Sequence, residues 1–198
     1  MGNARSRAIE GYTKESELEV LRRLAASMPA EAVVVEVGSF RGRSTVAIAE
    51  GLERVDRPRL IAVDTFAGDP AWDEIAEVSE ARRQFDRNTE GIAFLEVIQA
   101  ESVRAAEGIA DASVDWVFID ALHDYRSVRD DIRAWAPKVK RGGLISGHDY
   151  GRAGVTDAVL AVFDDVDVEQ SIWTTRSRPR LKPHRLVRMY ARRLLRGA

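Results

Sequence analysis

The 198-residue chain contains no cysteine, which excludes a disulfide framework and any thiolate-bound metal. No apolar run approaches the roughly 20 residues needed to cross a bilayer, and the amino terminus lacks the basic, apolar, small-residue order of a signal peptide. A soluble, cytoplasmic protein is expected. Internal repeats and low-complexity blocks are missing too, and residues 176–198 carry no Asp or Glu.

That last absence divides the chain electrically. The segment 176–198 holds nine Lys or Arg, so with the whole chain at −2 the first 175 residues carry −11. A single acidic domain over 1–175, opened by an amphipathic helix at 15–28, is expected, followed by a basic tail. In the tail Leu186, Tyr190 and Leu194 fall at helical spacing, which suits a short amphipathic helix resting on an anionic membrane, an acidic partner or the acidic body; a disordered tail of solvated charge is the alternative. Nucleic acid is not an expected partner, because the excess of basic over acidic residues is confined to one terminus and the expected cleft is acidic; a homo-oligomer is compatible with the sequence.

Along the body, short β-branched runs alternate with stretches of helical periodicity. The runs are "AVVVEV" (32–37), "RLIAVD" (59–64), "FLEVIQA" (94–100), "VDWVFID" (114–120) and "GGLISG" (142–147). Their near-continuous hydrophobicity suits strands covered on both faces. Helices are expected at about 44–55, 72–88, 101–108, 124–136 and 155–163, with "VDVEQ" and "SIWTT" as closing strands. The alternation predicts an α/β fold with a parallel sheet and right-handed crossovers.

In "VVVEVGSFRGRST" a buried strand runs into Gly38 and the chain enters a helix near Ser44. Glycines allow a tight turn and close ligand approach, and free helix N–H groups favour an anionic or polar ligand. The loop lacks the G-x-G-x-x-G spacing of a dinucleotide fold. Asp64 ends the second strand 22 residues after Gly42, where a carboxylate commonly takes ribose hydroxyls; a turn cap in "VDTFAGD" is the alternative. Glu36, inside a buried strand, requires a partner such as a ligand ammonium or the loop's own amides.

The fourth strand ends in "FIDALHDY", giving Asp120, His123 and Asp124, and the fifth in "ISGHDY", giving His148 and Asp149. In a parallel sheet the carboxyl ends share one edge, so two of the three histidines belong to the edge that carries the glycine loop. Such a group can ligate a divalent metal or supply a general base. Capping of local turns by His148 and Asp149 is the structural alternative.

Together "EVGSFRGRST", "IAVDTFAGD" and "VDWVFIDALHDYRSVRDDIRAWAPKVKRGGLISGHDY" resemble the small class I S-adenosylmethionine-dependent methyltransferases related to macrocin-type sugar O-methyltransferases and cephalosporin hydroxylase-like proteins. The resemblance covers residues 30–175. It implies a Rossmann-like, doubly wound, seven-stranded sheet with the last strand antiparallel and helices on both faces. By the same resemblance Glu36, Gly38, Ser39 and Gly42 line the methionine portion of S-adenosylmethionine, Asp64 holds the ribose, and Glu101 and Ser102 lie near the adenine. Ser44 and Thr65, beside these motifs, join the cofactor-binding set, and Asp120 faces the sulfonium. Metal-dependent relatives imply ligands at Asp120, His148 and Asp149, although His148 departs from the commonest acidic pair.

A sulfonium methyl is already activated, so the protein must chiefly align a hydroxyl acceptor and manage its proton. The expected reaction is O-methylation of a small molecule or sugar. His123 is the expected base, with Mg²⁺ or another divalent metal at Asp120 and Asp149. The loop 65–74 and the segment to about 90, with Phe66 and Trp72, offer an apolar lid, with Trp72 as a simple anchor of the next helix the alternative. A non-haem metal hydroxylase using His123, His148 and a carboxylate, and a binding module without catalysis, are the alternatives.

Overall fold

The computed structural model describes residues 4–67, 75–176 and 179. Trp72 and the helix foreseen in the basic tail lie outside them. The described residues form seven strands: β1 (Val33–Val37), β2 (Arg59–Asp64), β3 (Leu95–Gln99), β4 (Val114–Ile119), β5 (Val139–Gly147), β6 (Asp167–Glu169) and β7 (Ile172–Thr175). Helices α1 (Glu15–Ala26), α2 (Arg43–Leu52), α3 (Ile75–Thr89), α4 (Ser102–Glu107), α5 (Tyr125–Trp135) and α6 (Ala153–Val162) alternate with them.

The sheet order is β3-β2-β1-β4-β5-β7-β6. Strands β1 to β5 pair in parallel, and β7 runs antiparallel to both β5 and β6. Alternate residues of each central strand feed different layers, as the pleat requires. Val34, Leu60, Trp116 and Phe118 pack with Leu21, Ile48 and Leu52 of α1 and α2. Val35, Ile61, Val117 and Ile145 pack with Val128, Ile132 and Trp135 of α5 and Val155 and Val159 of α6. Helices on both faces explain why the strand sequences show no polar alternation.

Strand β1 lies at the reversal of order, with β2 on one side and β4 on the other. In open α/β sheets the crevice at such a point, outside the carboxyl ends of the strands, is where ligands bind. That crevice carries the glycine loop after β1, Asp64 at the end of β2, Asp120 after β4 and His148 after β5.

Candidate active site

A cavity of about 960 Å³ opens along this edge, at the upper end of the common size range for ligand clefts. Gly38, Ser39, Ser44, Asp64, Thr65, Glu101, Ser102, Asp120, His123, His148 and Asp149 all border it. The strand-end groups singled out in the sequence therefore do converge.

The glycine loop is shaped by three residues of positive φ, Gly38, Phe40 (φ +45°) and Gly42. Gly38 has φ +89°, and a Cβ there would lie 2.0 Å from the carbonyl oxygen of Asp120. Gly42, at φ +85°, is the N-cap of α2 and offers no side chain to that helix's first amides. Those N–H groups are left for an anionic ligand group such as an amino-acid carboxylate. Gly42 itself does not border the cavity: it packs against Phe85 and Thr89 from behind.

Glu36 also works from behind the loop. Its parity with Val34 turns it toward α2, where the hydroxyls of Ser39 (2.9 Å) and Thr45 donate to Oε2. Among the described residues Oε1 has no hydrogen-bond partner. Burial pushes the Glu36 carboxyl up to about 7, against the pull of the neighbouring hydroxyls of Ser44, Thr45 and Ser39. Hydroxyls, rather than the ammonium or amides foreseen from the sequence, are the partners it has found within the chain.

Asp64 combines both readings offered by its position. Oδ2 accepts N–H groups of Ser39 (2.6 Å) and Phe40 (2.8 Å), and Oδ1 accepts that of Phe66 (2.6 Å). It caps its own turn, fastens the glycine loop to β2, and still borders the cavity. Phe66 borders the cavity and is buried edge-on against Phe85, with centroids 5.2 Å apart, while residues 68–74 of the expected lid lie outside the described residues. Tyr12, from the segment before α1, stacks on Phe40 at the cavity wall, with centroids 5.7 Å apart.

The second half of the site is a cradle of carboxylates and imidazoles. His123 Nε2 lies 2.8 Å from Asp149 Oδ2 and 3.9 Å from Asp120 Oδ1. One ligand atom from each of these three residues falls within 4.8 Å of the others, a spacing that can hold a metal ion. His148 turns one nitrogen to the cradle and the other away from it. Its Nε2 faces Glu17 Oε2 (3.1 Å) and the Ser171 hydroxyl (3.1 Å), while Nδ1 stands 3.6 Å from both Asp120 Oδ1 and Asp149 Oδ2. Asp124 is a helix cap, accepting the N–H groups of Arg126 and Ser127, and takes no part in the cradle.

These neighbours set the charge states. Burial raises Asp120, helped by Asp149 and opposed by His148 and His123. Burial also works to raise Asp149, but the hydrogen bonds and charges of His123 and His148 hold it below the ordinary carboxylate range. For His123 the bond to Asp149 raises the imidazole, against burial. For His148 burial favours the neutral ring, yet Asp120, Asp149 and Glu17 hold it up at about 9.

Glu17 and Ser171 were not legible as site residues. Glu17 Oε1 accepts the Ser171 hydroxyl (2.7 Å) and Oε2 the Lys14 N–H (2.6 Å), so α1 and the turn before β7 meet at His148. One signal was present: Glu17 lies four residues before Leu21, on the apolar stripe of its helix, where a charge requires a partner.

Residues 35–150 match the family model described as a methyltransferase domain. The chain belongs to that family. Its sheet order, antiparallel β7 and edge cavity are those of class I S-adenosylmethionine-dependent methyltransferases. Among solved structures, cofactor-bound Rv0187 from MTB is 24 % identical, with 82 % of this chain and 68 % of that one covered at TM-score 0.56. The O-methyltransferase from Bacillus cereus in complex with SAH is 16 % identical, with 86 % of each chain covered at TM-score 0.56. A curated relative, the uncharacterized protein y4gI of Sinorhizobium fredii (strain NBRC 101917 / NGR234), is 27 % identical over 117 residues, or 59 % of this chain. The chain spans 13 % of that relative's length. Among the described residues no helix is long and apolar enough to cross a membrane.

Proposed function

We propose that this methyltransferase-family chain transfers the sulfonium methyl of S-adenosylmethionine to a hydroxyl group of a small molecule or sugar. One observation carries the reading: a single cavity joins the glycine loop, with its uncapped helix amides, to the Asp120–His123–Asp149 cradle. The name of the Bacillus cereus neighbour, an O-methyltransferase in complex with SAH, supports oxygen as the accepting atom.

In this reading the loop amides and the first turn of α2 take the amino-acid end of the cosubstrate, and Asp64 takes the ribose. Asp120, beneath the turn of Gly38, faces the sulfonium, whose positive charge a buried carboxylate favours. The acceptor oxygen forms a bond to the methyl carbon as the carbon–sulfur bond breaks, with the electron pair staying on sulfur. The acceptor's proton passes to the cradle.

Base and ligand roles compete for one atom of His123, because a nitrogen whose lone pair holds a cation cannot also take a proton. Its Nδ1 is buried, so Nε2 is the nitrogen the cleft can use, and Nε2 is the atom grouped with Asp120 and Asp149. Two carboxylate oxygens and an imidazole suit a divalent cation. When bound there, such a cation supplies Lewis acidity that lowers the acceptor hydroxyl's pKa. His148, with Nε2 engaged by Glu17, then orients Asp120 and Asp149.

Calorimetry with S-adenosylhomocysteine, with and without Mg²⁺ or Mn²⁺, tests both parts. Saturable nucleoside binding and a Mn²⁺ site that weakens about tenfold or more in Asp149→Ala are expected. No nucleoside binding would overturn the reaction class; tight nucleoside binding with no cation site would confine the mechanism to His123 and Asp149 alone. Release of S-adenosylhomocysteine across a panel of hydroxyl acceptors identifies the acceptor class.

A further inference from the structure

Tyr12 is 72 % exposed, more than any other large apolar side chain among the described residues, and it borders the cavity. The backbone that carries it is fastened on both sides. Ser6 is buried, and its N–H (3.0 Å) and hydroxyl (2.8 Å) donate to Glu50 of α2. Arg43, the first residue of α2, donates from Nε to the Thr13 carbonyl (2.8 Å) and from a terminal nitrogen to the Ile9 carbonyl. Ile9 and Thr13 are themselves buried, so the ring left in the open between them sits on an anchored segment.

Phe40 supports that ring from one side. The two rings stack with an interplanar angle of 20°. Phe40 has a left-handed backbone, which its N–H bond to Asp64 Oδ2 (2.8 Å) helps to hold; such strain persists where the surroundings impose it. Stacking covers one face of Tyr12, and the exposure of the ring leaves the other to the cavity.

The same segment reaches the cradle. Two residues on, the Lys14 N–H donates to Glu17 Oε2 (2.6 Å), the oxygen that faces His148 Nε2 at 3.1 Å, and His148 Nδ1 stands 3.6 Å from Asp120 and Asp149. Residues 12–14 therefore run from the glycine loop to the back of the cradle. An oxygen that receives the methyl has to lie between those two, so the remainder of its molecule lies along this wall. The other groups that border the cavity here, Glu10, Thr13, Lys14 and Ser171, are polar. One flat apolar face among polar groups matches a hydroxylated ring, whose own face is apolar and whose edge is not.

We infer that Tyr12 selects a ring-shaped acceptor, stacking on its flat face while a ring hydroxyl meets the cradle. This role rests on the proposed methylation of a hydroxyl and goes beyond it, because neither the glycine loop nor the strand-end motifs point to Tyr12. An open-chain polyol offers no such face and gains nothing from the aromatic ring.

Saturation-transfer NMR titrations on the full chain, loaded with S-adenosylhomocysteine, test it with three probes: resorcinol as a hydroxylated aryl ring, methyl β-glucopyranoside as a sugar ring, and glycerol as an open chain. At least one ring probe is expected to bind more tightly than glycerol, and which one does so tells aryl from sugar. Tyr12→Ala should weaken that probe about threefold to tenfold, the worth of one aromatic stack, with S-adenosylhomocysteine affinity within about twofold of wild type. Tyr12→Phe keeps the ring and should hold the probe within about twofold. Tyr12→Leu, read the same way, stands in if the alanine variant does not fold. An unchanged ring probe in the folded alanine or leucine variant, or an equal loss in Tyr12→Phe, overturns the stacking role. A parallel loss of S-adenosylhomocysteine places Tyr12 over the cosubstrate and overturns it as well. If the loaded wild type binds S-adenosylhomocysteine but no ring probe more tightly than glycerol, the role of Tyr12 falls and the cosubstrate assignment stands. No S-adenosylhomocysteine binding at all overturns both.

Discussion

Glu17 Oε2 stands 3.1 Å from His148 Nε2, joining the first turn of α1 to the residue that follows β5. The two side chains are 3 % and 8 % exposed, so the pair is shielded from water. Removing one partner of a buried pair leaves the other uncompensated, which costs far more than an exposed pair is worth. Glu17→Ala is expected to destabilise the fold by about 3 kcal/mol in urea unfolding. A change under about 0.5 kcal/mol would show that the contact is incidental.

Glu36 gives a pH dependence of definite sign. Its carboxyl is held up at about 7 from an ordinary value of 4.5, because burial opposes its ionisation. The folded state therefore binds a proton that the unfolded chain has lost between those values. Its contribution is fully present below pH 4.5 and is lost as pH rises through about 7, a drift of about 3 kcal/mol. Unfolding free energies of wild type and Glu36→Gln, measured from pH 4.5 to 8, should diverge by an amount of that order, with the wild type losing ground toward pH 8. Parallel curves would contradict it.

Gly38 has no room for a side chain. The added Cβ of Gly38→Ala meets backbone atoms of Asp120 and Ala121, at 2.0 Å and 2.8 Å at closest, in a left-handed conformation. Backbone cannot swing aside as a flexible side chain can, so both loop and β4 end must shift. The expected result is a loss of several kcal/mol and of measurable S-adenosylhomocysteine binding. Wild-type affinity in this variant would mean the loop is not the nucleoside site.

His123→Ala removes the cradle's imidazole without touching the glycine loop. Mn²⁺ affinity should fall about tenfold to a hundredfold while S-adenosylhomocysteine affinity stays within about threefold. Equal loss of both would place His123 in the nucleoside pocket instead.

Much of this was legible in the chain. The strand runs, their flanking glycines and the helical spacing of Tyr125, Val128, Ile132 and Trp135 reflect local periodicity, which encodes both an element and the face it buries. Parallel strands bring their carboxyl ends to one edge, so "GSFRG", "DTF", "DALH" and "GHD" had to gather there. The choice of partners was not local. His123 and His148 are equivalent on the page of the sequence, each beside an aspartate.

Strand order placed β4 beside β5, and the left-handed turn at Asp149 (φ +57°) set its carboxylate against His123 rather than outward. Helix α1, packed across α2, delivered Glu17 to His148 from 131 positions away in the chain. The sequence by itself determined the alternation of elements, the two-faced core and the edge on which chemistry gathers, because these follow from spacing along the chain. The tertiary structure alone set both imidazoles against Asp120 and Asp149 and tied His148 to Glu17 as well, because side-chain pairing depends on distances between elements that periodicity does not record.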